Sequence, residues 1–211
     1  MRYLDLENWP RRQHFAIFNA FDYPHFNLTA NVDVTMLLAS AKQAQISFTV
    51  AAVHSLARAA NEIEEFRYRI RGSKVIVHET VHPSFTMLNH DELFSFCTVE
   101  YAPEFGEFQA RAIERIAAVK QNLILEDEPG QDDLLFMTGI PWVSFTSMMH
   151  PIHMSPVDSV PRIAWGKFFE ERGRKKMPVS VQVHHALMDG LHMGRYFMRL
   201  QELLDDTADL F

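Results

Sequence analysis

Apolar residues recur at every second position in some stretches of the chain and at every third or fourth in others, and the two periods predict strands and helices. Residues 26–34, FNLTANVDV, alternate as a half-buried strand should, and MLLASAKQA just beyond them predicts a helix. In FTVAAVHSLARAANEI, Val50, Val53, Leu56, Ala57 and Ala60 fall at helical spacing, with Ser47 placed as the cap. Residues 2–6 read as a short strand, and Asn8 with Pro10 marks the start of a helix carrying Arg11 and Arg12 in its first turn. Basic residues there oppose the helix dipole, so Arg11 calls for an acidic partner or an exposed setting.

Further along, YRI, KVIVHE, SFTML and FSFCTVEY read as antiparallel strands, with Gly72 and Ser73 as a turn. Residues 104–121 return to helical spacing through Phe105, Phe108, Ala112, Ile113 and Ile116, and LEDEPGQDD reads as an acidic surface loop. The last third holds three apolar strands, LLFMTGIPWVSFTSM, RIAWGKFFEE and MPVSVQVHH, before a terminal helix over 190–204. Val179, Val181 and Val183 share one face of the third strand, Ser180, Gln182 and His184 share the other, and His185 falls at its end.

At 211 residues and 47% hydrophobic content, the chain is long enough for one core, and no repeat or linker divides it, so a single domain over 1–211 is expected. A net charge of −7, from 27 acidic and 20 basic residues, offers no broad cationic field for a phosphate backbone, so nucleic acid is not an expected partner. A small anionic ligand held by a few local cations is compatible with that balance. The single cysteine, Cys97, excludes an intrachain disulfide and fits a reducing cytoplasm. Charged residues interrupt the N-terminus and no apolar run approaches membrane-spanning length, so neither secretion nor a membrane is expected.

The sharpest chemical feature is HHALMDG at 184–190, between an apolar strand and an amphipathic helix. An imidazole suits general-base work because its ordinary pKa, about 6.5, lies near the working pH. Asp189, four residues beyond His185, is either the partner that orients the ring or a structural ion that needs an arginine, and Gly190 is expected to complete a tight turn. Paired histidines at a strand end also serve as packing or surface residues. A zinc site built from His150, His153 and His184 is not supported by their spacing, so no metal is expected, and the methionines of 137–154 read as pliable packing.

The run QVHHALMDGLH at 182–192 closely resembles the QVHHAVCDGFH of type A chloramphenicol acetyltransferases. Trp9, Arg11, Arg12, His14 and Phe15 match that family's W-x-R-x-x-H-F pattern, and residues 141–145 match its PWVSF strand. The likeness is collinear over nearly the whole chain, with a shorter segment around 123–133. It implies an α/β two-layer sandwich with a mixed β-sheet and helices on one face. It also implies a homotrimer whose active sites lie between subunits, and an antibiotic-resistance activity that acetylates a hydroxyl of chloramphenicol. Acetyl-CoA is then a co-substrate, and no cofactor is permanently bound.

By the same resemblance His185 is the catalytic base, its ring fixed chiefly by its own backbone carbonyl, while Asp189 pairs with Arg11. Thr138 stands where the family has a serine that steadies the oxyanion, a role its hydroxyl can fill although a strand threonine needs no such role. Lys167 and Trp142 fall at cofactor-side positions for CoA, and Ala164 replaces a family threonine thought to hold a water. Phe18, Phe26, Phe94, Met148 and His150 match acceptor-pocket positions, although the aromatics could equally be core. The segment after PWVSF departs from the family, so the pocket's shape must differ there. A related acyltransferase with another alcohol or amine acceptor, or a catalytically silent trimeric binding protein, are the competing readings.

Overall fold

The computed structural model describes residues 1–121, 123–125 and 130–208. Glu126, Asp127, Glu128 and Pro129, the middle of the expected acidic loop, lie outside the described residues.

In chain order the strands are β1 (Arg2–Tyr3), β2 (His25–Asp33), β3 (Tyr68–Arg71), β4 (Lys74–Val77), β5 (His82–Leu88), β6 (Phe94–Thr98), β7 (Leu134–Ile140), β8 (Arg162–Gly166), β9 (Phe169–Glu171) and β10 (Arg174–His184). The helices are α1 (Arg12–Phe18), α2 (Thr35–Gln43), α3 (Phe48–Asn61), α4 (Phe105–Gln121) and α5 (Gly190–Asp205). The seven-stranded sheet runs β2-β10-β8-β7-β5-β6, with β9 also paired to β10. It is mixed: β7 is parallel to both β5 and β8, and the other pairs are antiparallel. A second sheet, β1-β4-β3, stands apart from it.

The long strand β10 lies second in the large sheet, pairing the edge strand β2 from His184↔His25 to Lys176↔Asp33 on one side and β8 on the other. Its valines 179, 181 and 183 are buried with Leu135, Met137, Ile163 and Trp165 against α2, α3, α4 and α5. Small residues make the close packing of α3 possible, since Ala51, Ala52, Ala57, Ala59 and Ala60 are all buried there. Ser47 sits at the N-cap of α3 in extended conformation but its side chain makes no capping bond.

Several predicted elements are shorter than their patterns. The strand at 2–6 stops at Tyr3 because the Asp5 carboxylate takes the amides of Glu7 and Asn8 and bends the chain. Asn8 donates its own amide to Asp5 instead of capping α1, whose N-cap is Arg11. Beyond Ile140 the sequence PWVSF, expected as strand, crosses over Gly166 instead. A Cβ on Gly166 would lie 2.8 Å from the Val143 carbonyl oxygen, and that oxygen accepts from the Lys167 amide. Losing that amide to Val143 is what divides the expected strand RIAWGKFFEE into β8 and β9.

The hairpin β3–β4 turns at Gly72, whose φ of +61° favours glycine, and its strands pair antiparallel as the pattern indicates. What joins this small sheet to the large one is Arg69, which is fully buried. Its guanidinium donates to the carbonyls of Phe66, Tyr68, Asp132 and Leu134, the last being the first residue of β7. Burial lowers its pKa to about 10, and the nearby carboxylates of Asp132, Asp158 and Asp133 act the other way, so it remains a cation at neutral pH. Replacing Arg69→Met should strand those carbonyls and lower stability by more than about 3 kcal/mol, measured as a fall in the urea midpoint.

Candidate active site

The β10 ladder ends at His184, and the next residue leaves the sheet with its amide donating to the Pro24 carbonyl at 2.7 Å. The His185 ring is held on three sides. It stacks on Phe18 at 3.9 Å between centroids and 9° between planes, and Phe26 leans on it at 4.6 Å. Its Nδ1 lies 3.1 Å from the Met188 carbonyl oxygen. A carbonyl only accepts, so Nδ1 carries the proton and Nε2 presents its lone pair. The resemblance placed the ring's own carbonyl in this role; here that of Met188 takes it, and the His185 carbonyl receives Arg11 Nη2 at 3.4 Å.

Arg11 also closes an ion pair with Asp189, its side chain 14% exposed against 30% for the carboxylate. Of the two roles open to Asp189, the structure therefore gives the ion to Arg11 and supplies the ring from Met188. Asp189 is in addition the N-cap of α5, accepting from the Leu191 amide, while its own amide donates to His192 Nδ1. Partial burial would raise this carboxyl, but Arg11, the nearby His192 and the Leu191 amide outweigh it and hold the pKa below the ordinary value. Gly190 makes no tight turn; it opens α5, and a Cβ there would meet nothing within 4 Å.

Between these contacts the loop buries Ala186 and Leu187 in a second, smaller core with Phe15 of α1 and Tyr68, Val75 and Val77 of the small sheet. His184, the first of the pair, points the opposite way. Its Nδ1 accepts from the Ala186 amide, and its ring meets His25 edge-on at 5.0 Å.

On the sheet face away from the helices opens a cavity of about 830 Å³. Thr138, Phe94, Met148 and His150 line it, as does Trp142, which is 65% exposed at its rim. Thr138 belongs to a row that crosses the sheet through Ala164, Ser180 and Thr29. Lys167 is exposed, and its amide bonds to Val143, the residue after Trp142, which brings the two expected cofactor-side residues to one surface. Phe18 and Phe26 hold the His185 ring rather than joining Phe94 around the cavity, and His185 itself is not among the described residues that line it.

Two cavity residues escaped the sequence reading, Asp158 and Arg162, which form a nearly buried ion pair. The available signal was a lone arginine opening an apolar strand with an aspartate four residues before it. Among the described residues no three His, Cys, Asp or Glu side chains converge on a metal position, and no helix is long and apolar enough to cross a membrane.

A mixed sheet with α2, α3, α4 and α5 on one face is the fold of a CoA-dependent acyltransferase. A solved chloramphenicol acetyltransferase matches it at a TM-score of 0.84 and 25% identity, over 95% of this chain and 98% of that one. The chain belongs to the chloramphenicol acetyltransferase family, whose pattern it matches over residues 1–201. A chloramphenicol acetyltransferase of Streptomyces acrimycini is 34% identical over 213 residues, 97% of this chain and 94% of the relative. One of Klebsiella sp is 31% identical over 206 residues, 96% of this chain and 93% of the relative.

Burial pushes the imidazoles of His25, His54, His82, His150 and His184 down from 6.5, the last two to about 4. The unfolded chain thus binds more protons than the fold as pH drops below 6.5, so stability is full above that value and lost as pH falls through about 4. The urea midpoint should hold from pH 7.5 to about 6.5 and fall from there to pH 4. In His184→Asn, whose amide oxygen can still accept from Ala186, that fall should be shallower by up to about 1.4 kcal/mol per pH unit.

Proposed function

We propose that this chain transfers the acetyl group of acetyl-CoA to a hydroxyl of chloramphenicol, with His185 as general base. The observation that carries this reading is the His185 ring itself: Nδ1–H is fixed on Met188, and Nε2 is left as the proton acceptor at the end of β10. As the acceptor hydroxyl attacks the thioester carbonyl, its proton passes to Nε2. The tetrahedral oxyanion then takes a hydrogen bond from the Thr138 hydroxyl, and collapse expels the CoA thiolate, which recovers the proton from the imidazolium. No covalent acyl-enzyme is needed. Arg11 and Asp189 act as positioning residues, since they hold the carbonyl of His185 and the start of α5 rather than the reacting atoms.

The cavity supports the acceptor assignment by its size, which suits a drug-sized ligand, and by its mainly apolar wall. Its separation from His185 supports the homotrimer that the resemblance implies, in which the base of one protomer faces the Thr138 cavity of the next. Lys167 and Trp142 would hold CoA at the rim of that joint site. The reading includes a single domain over 1–211, a cytoplasmic location and a role in antibiotic resistance. Ala164, His150 and the Asp158–Arg162 pair favour, as a second reading, an acyltransferase of the same mechanism with another alcohol or amine acceptor.

Thiol release from acetyl-CoA, followed with and without chloramphenicol, tests the reaction. His185→Ala should lower kcat by about 10²–10⁴; thiol release at the wild-type rate would remove His185 from the mechanism. If no acceptor elicits CoA release while ligands still bind, the chain is a silent binding protein.

Thr138→Ala should lower kcat by roughly 10²–10³ with little change in KM for acetyl-CoA, and Thr138→Ser should retain most of the rate. Equal losses in both variants would point to packing instead of the hydroxyl.

A further inference from the structure

The geometry points to His150 as a hydrogen-bond donor that selects acceptors carrying a neutral oxygen atom besides the hydroxyl that is acetylated. This inference rests on the acyltransfer reading and adds the substrate chemistry of its cavity. The main chain of His150 is pinned in both directions by one side chain, since its amide donates to Gln182 Oε1 at 2.7 Å and its carbonyl faces Gln182 Nε2 at 3.4 Å. Gln182 lies in β10 opposite Arg162 of β8, so the imidazole is set into the cavity wall beside that guanidinium.

The two ring nitrogens differ. Nε2 is closed off from solvent and has no hydrogen-bond partner. Burial, and after it the positive charge of Arg162, hold the imidazole neutral, with its pKa lowered to about 4. A shut-in nitrogen with no acceptor is better as a lone pair than as an N–H, because a donor taken from water and left unbonded costs more. The proton therefore belongs on Nδ1, which has no partner among the described residues, on a ring that lines the cavity. An N–H without an acceptor in such a wall is an unmet donor until a ligand supplies an oxygen.

The ion pair next to it does not turn the cavity into an anion site. Arg162 donates to Asp158 and to the Val160 carbonyl, and the second Asp158 oxygen accepts from the Val160 amide, so the pair is neutral and internally bonded. The group read by His150 is accordingly a carbonyl, ether or hydroxyl oxygen rather than a carboxylate or phosphate. A site built to bond an oxygen discriminates against the analogue that lacks it.

Steady-state thiol release with two acceptors tests this: chloramphenicol, which carries further oxygen atoms, and benzyl alcohol, which carries one. In His150→Leu the KM for chloramphenicol should rise about 2- to 12-fold, the range of one neutral hydrogen bond, with kcat changed less than about 2-fold. The KM for benzyl alcohol should stay level or fall. His150→Asn, which restores an N–H donor, should recover most of the loss. A chloramphenicol KM that is unchanged or lower in His150→Leu, or an equal rise for both acceptors, overturns the inference while leaving the acyltransfer reading intact. Should the leucine variant fail to fold, the wild-type comparison decides, because a higher kcat/KM for benzyl alcohol than for chloramphenicol overturns it. Wild-type enzyme that releases no thiol with either acceptor overturns both readings together.

Discussion

The burial of β10 on both faces is the constraint from which the site follows. Its valines satisfy one face by packing on the helices, which costs nothing in hydrogen bonds. The other face carries Ser180, Gln182 and His184, all buried, and each polar group taken from water must find a partner inside. Ser180 finds Asn27, Thr29 and the Met148 carbonyl; Gln182 finds the main chain of His150; His184 finds the Ala186 amide at Nδ1, while its Nε2 stays buried without a partner. Meeting these demands draws the segment at 148–150 onto the sheet and shapes the cavity wall. The same demand bends the chain at Ala186, directly after His185.

A second layer of restraint converges on that bend. Arg11 binds at once the His185 carbonyl and the Asp189 carboxylate, so helix α1 and the start of α5 are held together through one guanidinium. Apolar packing acts from the opposite side, through Ala186 and Leu187. Because the ring is also stacked on Phe18, the imidazole is restrained by charge, hydrogen bond and aromatic contact together. Such redundancy suits a group that must be within hydrogen-bond reach of a proton it removes.

Periodicity made most elements legible: β2, α3, α4 and α5 lie within a residue or two of where the pattern puts them, and β10 starts only three residues before its apolar run, since each is an amphipathic or apolar run whose surroundings match its period. The HHALMDG run was legible as chemistry for the same reason, a polar motif at a strand-to-helix junction. What the pattern did not carry was decided by partners distant in the chain. Trp142 and Val143 look like strand continuing from β7, but Pro141 and the contact over Gly166 send them across the sheet. Asn8 has the residue type of a cap and is claimed by Asp5. The Asp158–Arg162 pair has local spacing, yet its place in a cavity depends on β7 and β5 lying alongside, which no window of sequence contains. Likewise, nothing in YRI and KVIVHE announces that they form a sheet of their own.

That separate sheet is small, and by itself it has too little core to persist. Arg69 ties it to the start of β7 through the carbonyls of Asp132 and Leu134, and the small sheet supplies Tyr68, Val75 and Val77 to the packing around the loop that holds His185. Melting the small sheet would release the base, and releasing Arg69 would expose a cation and its carbonyls to an apolar interior with nothing to bind. The two sheets thus share one buried cation and one small core, a coupling that disfavours local loosening of the small sheet ahead of the rest.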